Sequence, residues 1–127
     1  MRSDAREAVF KFIFSQLFNP DDEGLFNVLC KDLNEKDKKF ATELLGFVLC
    51  GRDKYLKEIS EKSIGYKLER LFAADKCALL IGMAELDNYT TDTPVVVDEA
   101  VKLAAKYSTE RSTDFVNGIL AEYAKNR

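Results

Sequence analysis

Apolar residues return at three- and four-residue steps along nearly the whole chain, a spacing that predicts helices from end to end. Ala5, Val9, Phe12, Ile13 and Gln16/Leu17 make one stripe down a first helix, with Ser3 and Asp4 suited to cap it and charge its first turn. A second stripe, Phe10, Phe14 and Phe18, runs down another side. One stripe suffices to face a core, so two imply either a helix wedged between neighbours or aromatics left free for a partner. Phe10 is assigned to the core; for Phe14 and Phe18 both readings stand. Asn19-Pro20-Asp21-Asp22 ends this helix, because proline restricts the residue before it and lacks the amide that the helical ladder needs. Leu25, Phe26, Val28, Leu29 and Leu33 then form a short apolar face. Asn34 is placed to cap a longer helix that keeps Phe40, Ala41, Leu44, Leu45, Val48, Leu49, Leu56 and Ile59 in register. Gly46 and Gly51 interrupt that pattern at about 1 kcal/mol each relative to alanine, which predicts close packing by a neighbouring helix.

Ser63-Ile64-Gly65-Tyr66 marks a break before a short segment around Leu68, Leu71 and Phe72. From Asp75 to Leu86 the apolar residues wrap almost all round, which predicts a central, buried helix. Pro94 suits the entry to the next helix, with Val97, Val101, Ala104 and Ala105 inward and Lys102 and Lys106 outside. Tyr107 to Arg111 reads as a loop, and Ser112 as the cap of a last helix that turns Phe115, Val116, Ile119, Leu120, Tyr123 and Ala124 inward. Val95-Val96-Val97 is β-prone but too short to outweigh its surroundings. The prediction is an all-α bundle of about six or seven helices, one domain over residues 1–127.

Composition narrows the chemistry more than the fold. A chain of 127 residues fits one domain and can bury a core without staples. No apolar run nears the ~20 residues a membrane span needs, and the scattered charges of MRSDAREAVFKFIF do not resemble a signal peptide. Cys30, Cys50 and Cys77 are odd in number, far apart and set among apolar residues, so they read as buried hydrophobes in a reducing, cytoplasmic setting. There is no histidine, the side chain that most often moves protons or binds metals near neutrality, and no glycine-rich phosphate loop. Asp98 and Glu99 are adjacent, so on a helix they point to different places and make a poor acid/base pair. These features predict no catalysis, no cofactor and no metal.

A net charge of −3 and a pI near 5.1 oppose nucleic-acid binding in bulk, so any such case is local. Arg2, Arg6 and Lys11 cluster near the N-terminus, diluted by Asp4 and Glu7. Lys106 and Arg111 flank the loop before the last helix, and Lys102 lies one turn from Lys106. The plain reading is a solvated, mixed-charge face. The functional one is a modest phosphate strip beside the two-sided amide of Asn117 and the ring of Phe115, which itself also suits the core.

The segment Asp114-Phe115-Val116-Asn117-Gly118-Ile119-Leu120, preceded by Ser112, resembles the FVNG(V/I)L signature of the NusB family. Pro94-Val95-Val96-Val97-Asp98-Glu99-Ala100-Val101-Lys102-Leu103-Ala104 resembles that family's P-x-x-V-x-(I/V)-(N/D)-E-A-V-x-L-A stretch. Ala84-Glu85-Leu86 falls at its Y-E-L step and Ala5-Arg6-Glu7 at its A-R-E, so the resemblance spans almost the whole chain in order. It implies an all-α fold of two packed helical subdomains. It also implies joint binding of single-stranded, boxA-type RNA with a small-subunit ribosomal protein acting as NusE, in an assembly that lets bacterial RNA polymerase read through terminators during ribosomal RNA synthesis. Arg2 and Arg6 then match part of an N-terminal arginine motif, and Arg111 to Asn117 a second RNA-facing element. Phe14, Phe18 and Asp75 match positions that face the protein partner, and a homodimer is a further possibility within the family. The departures are a thinned arginine run, with Asp4 between Arg2 and Arg6, and Leu79-Leu80 where many members carry L-R. Fewer cations predict weak RNA binding by the chain alone and a shallow salt dependence. The alternatives are a protein-interaction module with little RNA affinity, and an accessory domain like those preceding some ribosomal RNA cytosine methyltransferases.

Overall fold

The helix that is apolar on every side is the one the others surround. A computed structural model describes residues 2–20, 24–63 and 71–126. Among these lie six helices and no strand: α1 (Arg2–Gln16), α2 (Leu25–Cys30), α3 (Glu35–Lys62), α4 (Ala73–Asn88), α5 (Thr93–Tyr107) and α6 (Glu110–Lys125). Helix α4 packs against α1, α3, α5 and α6, and its Ala78, Leu79, Ile81, Met83, Ala84 and Leu86 are all buried. Each large aliphatic side chain so buried contributes roughly 1.5–3 kcal/mol. Where α6 crosses α4, a Cβ on Gly82 would lie 2.7 Å from Leu120 Cδ1, so a larger residue there would force the Leu120 side chain to shift.

Helix α3 starts where a side chain satisfies its first amides: Asn34 Oδ1 accepts from the Asp37 amide at 2.8 Å. Its core face is Phe40, Ala41, Leu44, Val48, Tyr55 and Ile59. It ends at Ser63, whose amide and hydroxyl both donate to the Ile59 carbonyl. Helices α1, α2 and α3 pack as one group, α4, α5 and α6 as another, and the two meet through α3 with α4 and α1 with α4. Among the described residues, no helix is long and apolar enough to cross a membrane.

Several local expectations are corrected. Asp4 sits in the first turn of α1 as expected, but Ser3 also lies within the helix, and its Oγ donates to Glu99 on α5 at 2.6 Å instead of capping α1. The loop before α6 shrinks to Ser108 and Thr109; Thr109 is the cap, accepting from the Ser112 amide at 3.3 Å, which leaves Ser112 inside the first turn and buried. Helix α5 buries Val96, Val97, Ala100, Leu103 and Ala104, while Val101 is half-buried and Ala105 exposed. Its inward face is rotated because α5 packs against both α4 and α6. Nothing approaches Gly46, and Gly51 lies under the ring of its own helix's Tyr55, so neither marks a helix crossing. Leu17 is exposed past the end of α1, and Cys50 is exposed on α3 while Cys30 and Cys77 are buried. The short segment around Leu68 lies outside the described residues, although Leu71 and Phe72 just before α4 do not.

Candidate functional site

The N-terminal turn of α1 is fixed by a buried ion pair. Arg6 Nε and Nη2 donate to Glu85 Oε1 and Oε2, each at 2.7 Å, and Arg6 Nη1 lies 3.5 Å from Glu99 Oε1. The Arg6 and Glu85 side chains are 4% and 1% exposed. Burial works against the guanidinium charge, but the bonds and field of Glu85, with Glu99 beside them, more than offset it and raise the Arg6 pKa. Arg6 falls on the same side of α1 as Ala5 and Val9, so its donors point into the protein and it forms no part of an exposed arginine strip. Arg2, four residues earlier, is exposed and rides over the Phe40 ring at 4.5 Å and the Tyr89 ring at 5.9 Å. Burial, and the nearby Glu43 that accepts from its hydroxyl, push the Tyr89 phenol up to about 12.

A groove of about 620 Å³ lies between the start of α4 and the start of α6, lined by Leu71, Phe72, Asp75, Glu110, Arg111, Ser112 and Phe115 with Thr109. Asp75, expected to face a partner, is only 4% exposed. Its Oδ2 accepts from Ser112 Oγ at 2.9 Å, while its buried Oδ1 has no hydrogen-bond partner. Arg111 is exposed at the first turn of α6, where the positive end of the helix dipole adds to its charge. Phe115 is half-buried and Phe72 is 59% exposed, so the groove offers two rings and one cation, set against Glu110 and the Asp75 carboxylate.

The remaining expected residues disperse. Lys106 donates to Glu7 at 2.7 Å, which ties α5 to α1 and, chiefly through that bond, holds the Glu7 carboxyl below its ordinary range. Asn117 is exposed on another side of α6, beside a shallow groove shared with Pro94 and Val97 of α5. Phe10, Phe14 and Phe18 form a continuous aromatic strip, with centroids 6.1 Å and 5.3 Å apart, running from a buried ring to one 72% exposed. Tyr107 stacks on Phe10 at 4.9 Å and connects the strip to the turn that borders the Arg111 groove. Sequence reasoning missed Phe72 and Tyr107 as surface aromatics. Periodicity gave no signal for either, since both lie next to helix ends where the pattern stops.

The description "NusB family" belongs to a family model that matches residues 3–125. The transcription antitermination protein NusB of Methylacidiphilum infernorum is 33% identical over 132 residues, covering 98% of this chain and 91% of that protein. A solved structure of T. maritima NusB is 30% identical with a TM-score of 0.90, covering 100% of this chain and 92% of the other. A crystal structure of the antitermination factors NusB and NusE in complex with dsRNA contains a chain of the same fold, at 24% identity and a TM-score of 0.87, with 99% and 97% covered.

Proposed function

The chain belongs to the NusB family, and from that premise we propose that it is a non-catalytic adaptor in transcription antitermination. It binds boxA-type single-stranded RNA together with a small ribosomal protein acting as NusE, in the cytoplasm, as part of an RNA polymerase complex. The observation that carries this reading is the groove at the start of α6, where Arg111 and Phe115 share one concave surface with Phe72. Aromatic faces accept unstacked bases and a helix N-terminus with an arginine accepts phosphate, the two elements that single-stranded RNA recognition combines. Arg2 contributes a second cation, while Arg6 acts from beneath by holding α1 in place. Lys106 and Asn117 flank the path of a longer RNA. The Phe14–Phe18 strip is the face offered to the protein partner. Asp75 braces the start of α6 through Ser112.

Charge sets the expected strength. Two exposed arginines on single-stranded RNA give a slope of log K against log salt of about −1.4. That predicts weak binding alone, tightened when a cationic partner extends the charged surface. The test is fluorescence anisotropy with a boxA-like RNA and a scrambled control, with and without the ribosomal protein, at several salt concentrations. Sequence-preferring binding that tightens with partner and weakens with salt supports the adaptor. Equal and negligible binding to both RNAs, with partner present, leaves a protein-interaction module, the reading favoured by Glu110 and Asp75 lining the same groove.

A further inference from the structure

A second cleft, of about 220 Å³, opens between α1, α3 and α4. On α4 it is bounded by Lys76, Cys77 and Leu80, none of which lines the Arg111 groove. On α3, Leu49, Arg52 and Leu56 stand at i, i+3 and i+7 along one edge, a run of about 10 Å or two helical turns. Ile13 of α1 and Leu17 just past its end close the third side. The floor is apolar, with Cys77 only 2% exposed, but the rim is not covered: Leu49 is 53% and Leu17 45% exposed.

The charge of the rim singles the cleft out. Among the described residues the charged side chains lining it are Arg52 and Lys76, both cationic, in a chain whose net charge is −3. Among the described residues neither cation takes part in an ion pair. Two cations beside a two-turn apolar trough are too few and too apolar in setting for a phosphate backbone. They match a ridge of apolar side chains flanked by carboxylates. The exposed leucines at the rim extend the apolar surface beyond the cleft itself, which a small amphiphile would leave uncovered.

We propose that this cleft is a docking site for an acidic amphipathic helix of a partner protein. Its apolar side chains lie against Leu49, Leu56 and Leu80, and its carboxylates pair with Arg52 and Lys76. The site is on a different face from the Arg111 groove, so it recruits a second partner without competing for RNA. The experiment is an anisotropy titration of a labelled helical peptide carrying leucines at i, i+4 and i+7 flanked by glutamates. Two control peptides carry lysines for the glutamates or serines for the leucines, and decanoate serves as a competing amphiphile. The glutamate peptide binds, and both controls bind at least about tenfold more weakly. Since an exposed pair is worth a few-fold in affinity, R52E/K76E weakens the glutamate peptide about tenfold and transfers preference to the lysine peptide. Leu49→Ser, at an exposed rim position, weakens both without altering helicity and supplies the readout should the double reversal fold poorly. Equal affinity for the two charge versions, or binding that R52E/K76E and Leu49→Ser leave within about twofold, overturns the proposal. Binding of decanoate with none of the peptide overturns it as well.

Discussion

Replacing Glu85 by leucine leaves the Arg6 guanidinium buried with Glu99, 3.5 Å away, as its remaining counter-charge. Both members of the Arg6–Glu85 pair have lost almost all contact with water, and two 2.7 Å bonds are what offset that desolvation. Removing one partner of such a pair costs about 3–5 kcal/mol, a large part of the ~5–15 kcal/mol that holds a typical domain folded. Glu85→Leu falls near the lower end, about 3 kcal/mol, because Glu99 still faces the guanidinium. Arg6→Met falls near the upper end, about 5 kcal/mol, because it strands a carboxylate that is 1% exposed. R6M/E85L removes both charges and fills the space with apolar atoms, so it returns to within about 1–2 kcal/mol of the parent.

The assay is urea unfolding followed by far-ultraviolet circular dichroism, with the four proteins forming a double-mutant cycle. A coupling energy of about 6 kcal/mol is expected from these figures. A double variant that loses as much as the two single variants added together refutes the reasoning, because it would mean that the charges do not answer each other. The same double variant separates structure from recognition. With its donors facing Glu85, Arg6 contributes nothing to the salt dependence of RNA binding, so R6M/E85L keeps the parent slope. A slope shallower by about 0.7 would place one phosphate on Arg6.

Three further outcomes follow from the same geometry. Ser112→Ala removes the bond to Asp75 Oδ2 and leaves a buried carboxylate whose other oxygen already has no partner; the expected cost is about 1.5–3 kcal/mol, read as a lower Tm by calorimetry, and an unchanged Tm would refute it. Burial, with Asp87 or Glu43 nearby, pushes Tyr55 and Tyr89 up to about 12, so the unfolded chain releases phenol protons at lower pH than the native one. Stability is therefore intact below pH ~10, where free tyrosine begins to ionise, and falls as pH rises toward 12; tyrosinate absorbance that climbs near pH 10 for all tyrosines, with helicity retained, would contradict this. Ellman's reagent titrates one thiol quickly in the native protein, the exposed Cys50, because Cys30 and Cys77 are buried and burial holds the Cys77 thiol up at about 12. Two fast thiols would mean that the core around α4 opens readily.

The helices were legible because each has a core face with its own period, and α4 was legible because it has no other face. Asn34 was legible as a cap because the need for it is local: one oxygen within reach of one amide. What pattern could not supply was phase and pairing. The inward face of α5 is set jointly by α4 and α6, so Val96 and Ala100, outside the expected stripe, are buried, while Val101 and Ala105 turn partly or wholly outward. Arg6 shows the same limit for charge. Its fate depends on Glu85, seventy-nine positions away, and no spacing rule connects the two. Among the expected site residues, Arg111, Phe115 and Asp75 came together because the start of α6 lies over the start of α4. Lys106 and Asn117, equally near in sequence, turn to other faces of their helices.

The net charge of the chain does not by itself decide against an RNA surface, because charges of both signs are committed to contacts within the protein. Glu85 and Glu99 face Arg6, Glu7 holds Lys106, Asp98 holds Lys102, and Asp87 accepts from Lys54 and from the Tyr123 hydroxyl. The same pairing removes cations as well, so neither sign can be counted from sequence. What remains at the α6 groove is one arginine, next to Glu110, and two rings. Stacking can hold bases there, but a single cation cannot hold a phosphate chain against salt. At the buried Phe10 end of the aromatic strip, the stack on Tyr107 leads on toward Thr109 at the groove's edge. A basic partner seated on that strip would bring charge toward the place where this chain lacks it, and RNA affinity is then expected to rise with the partner present.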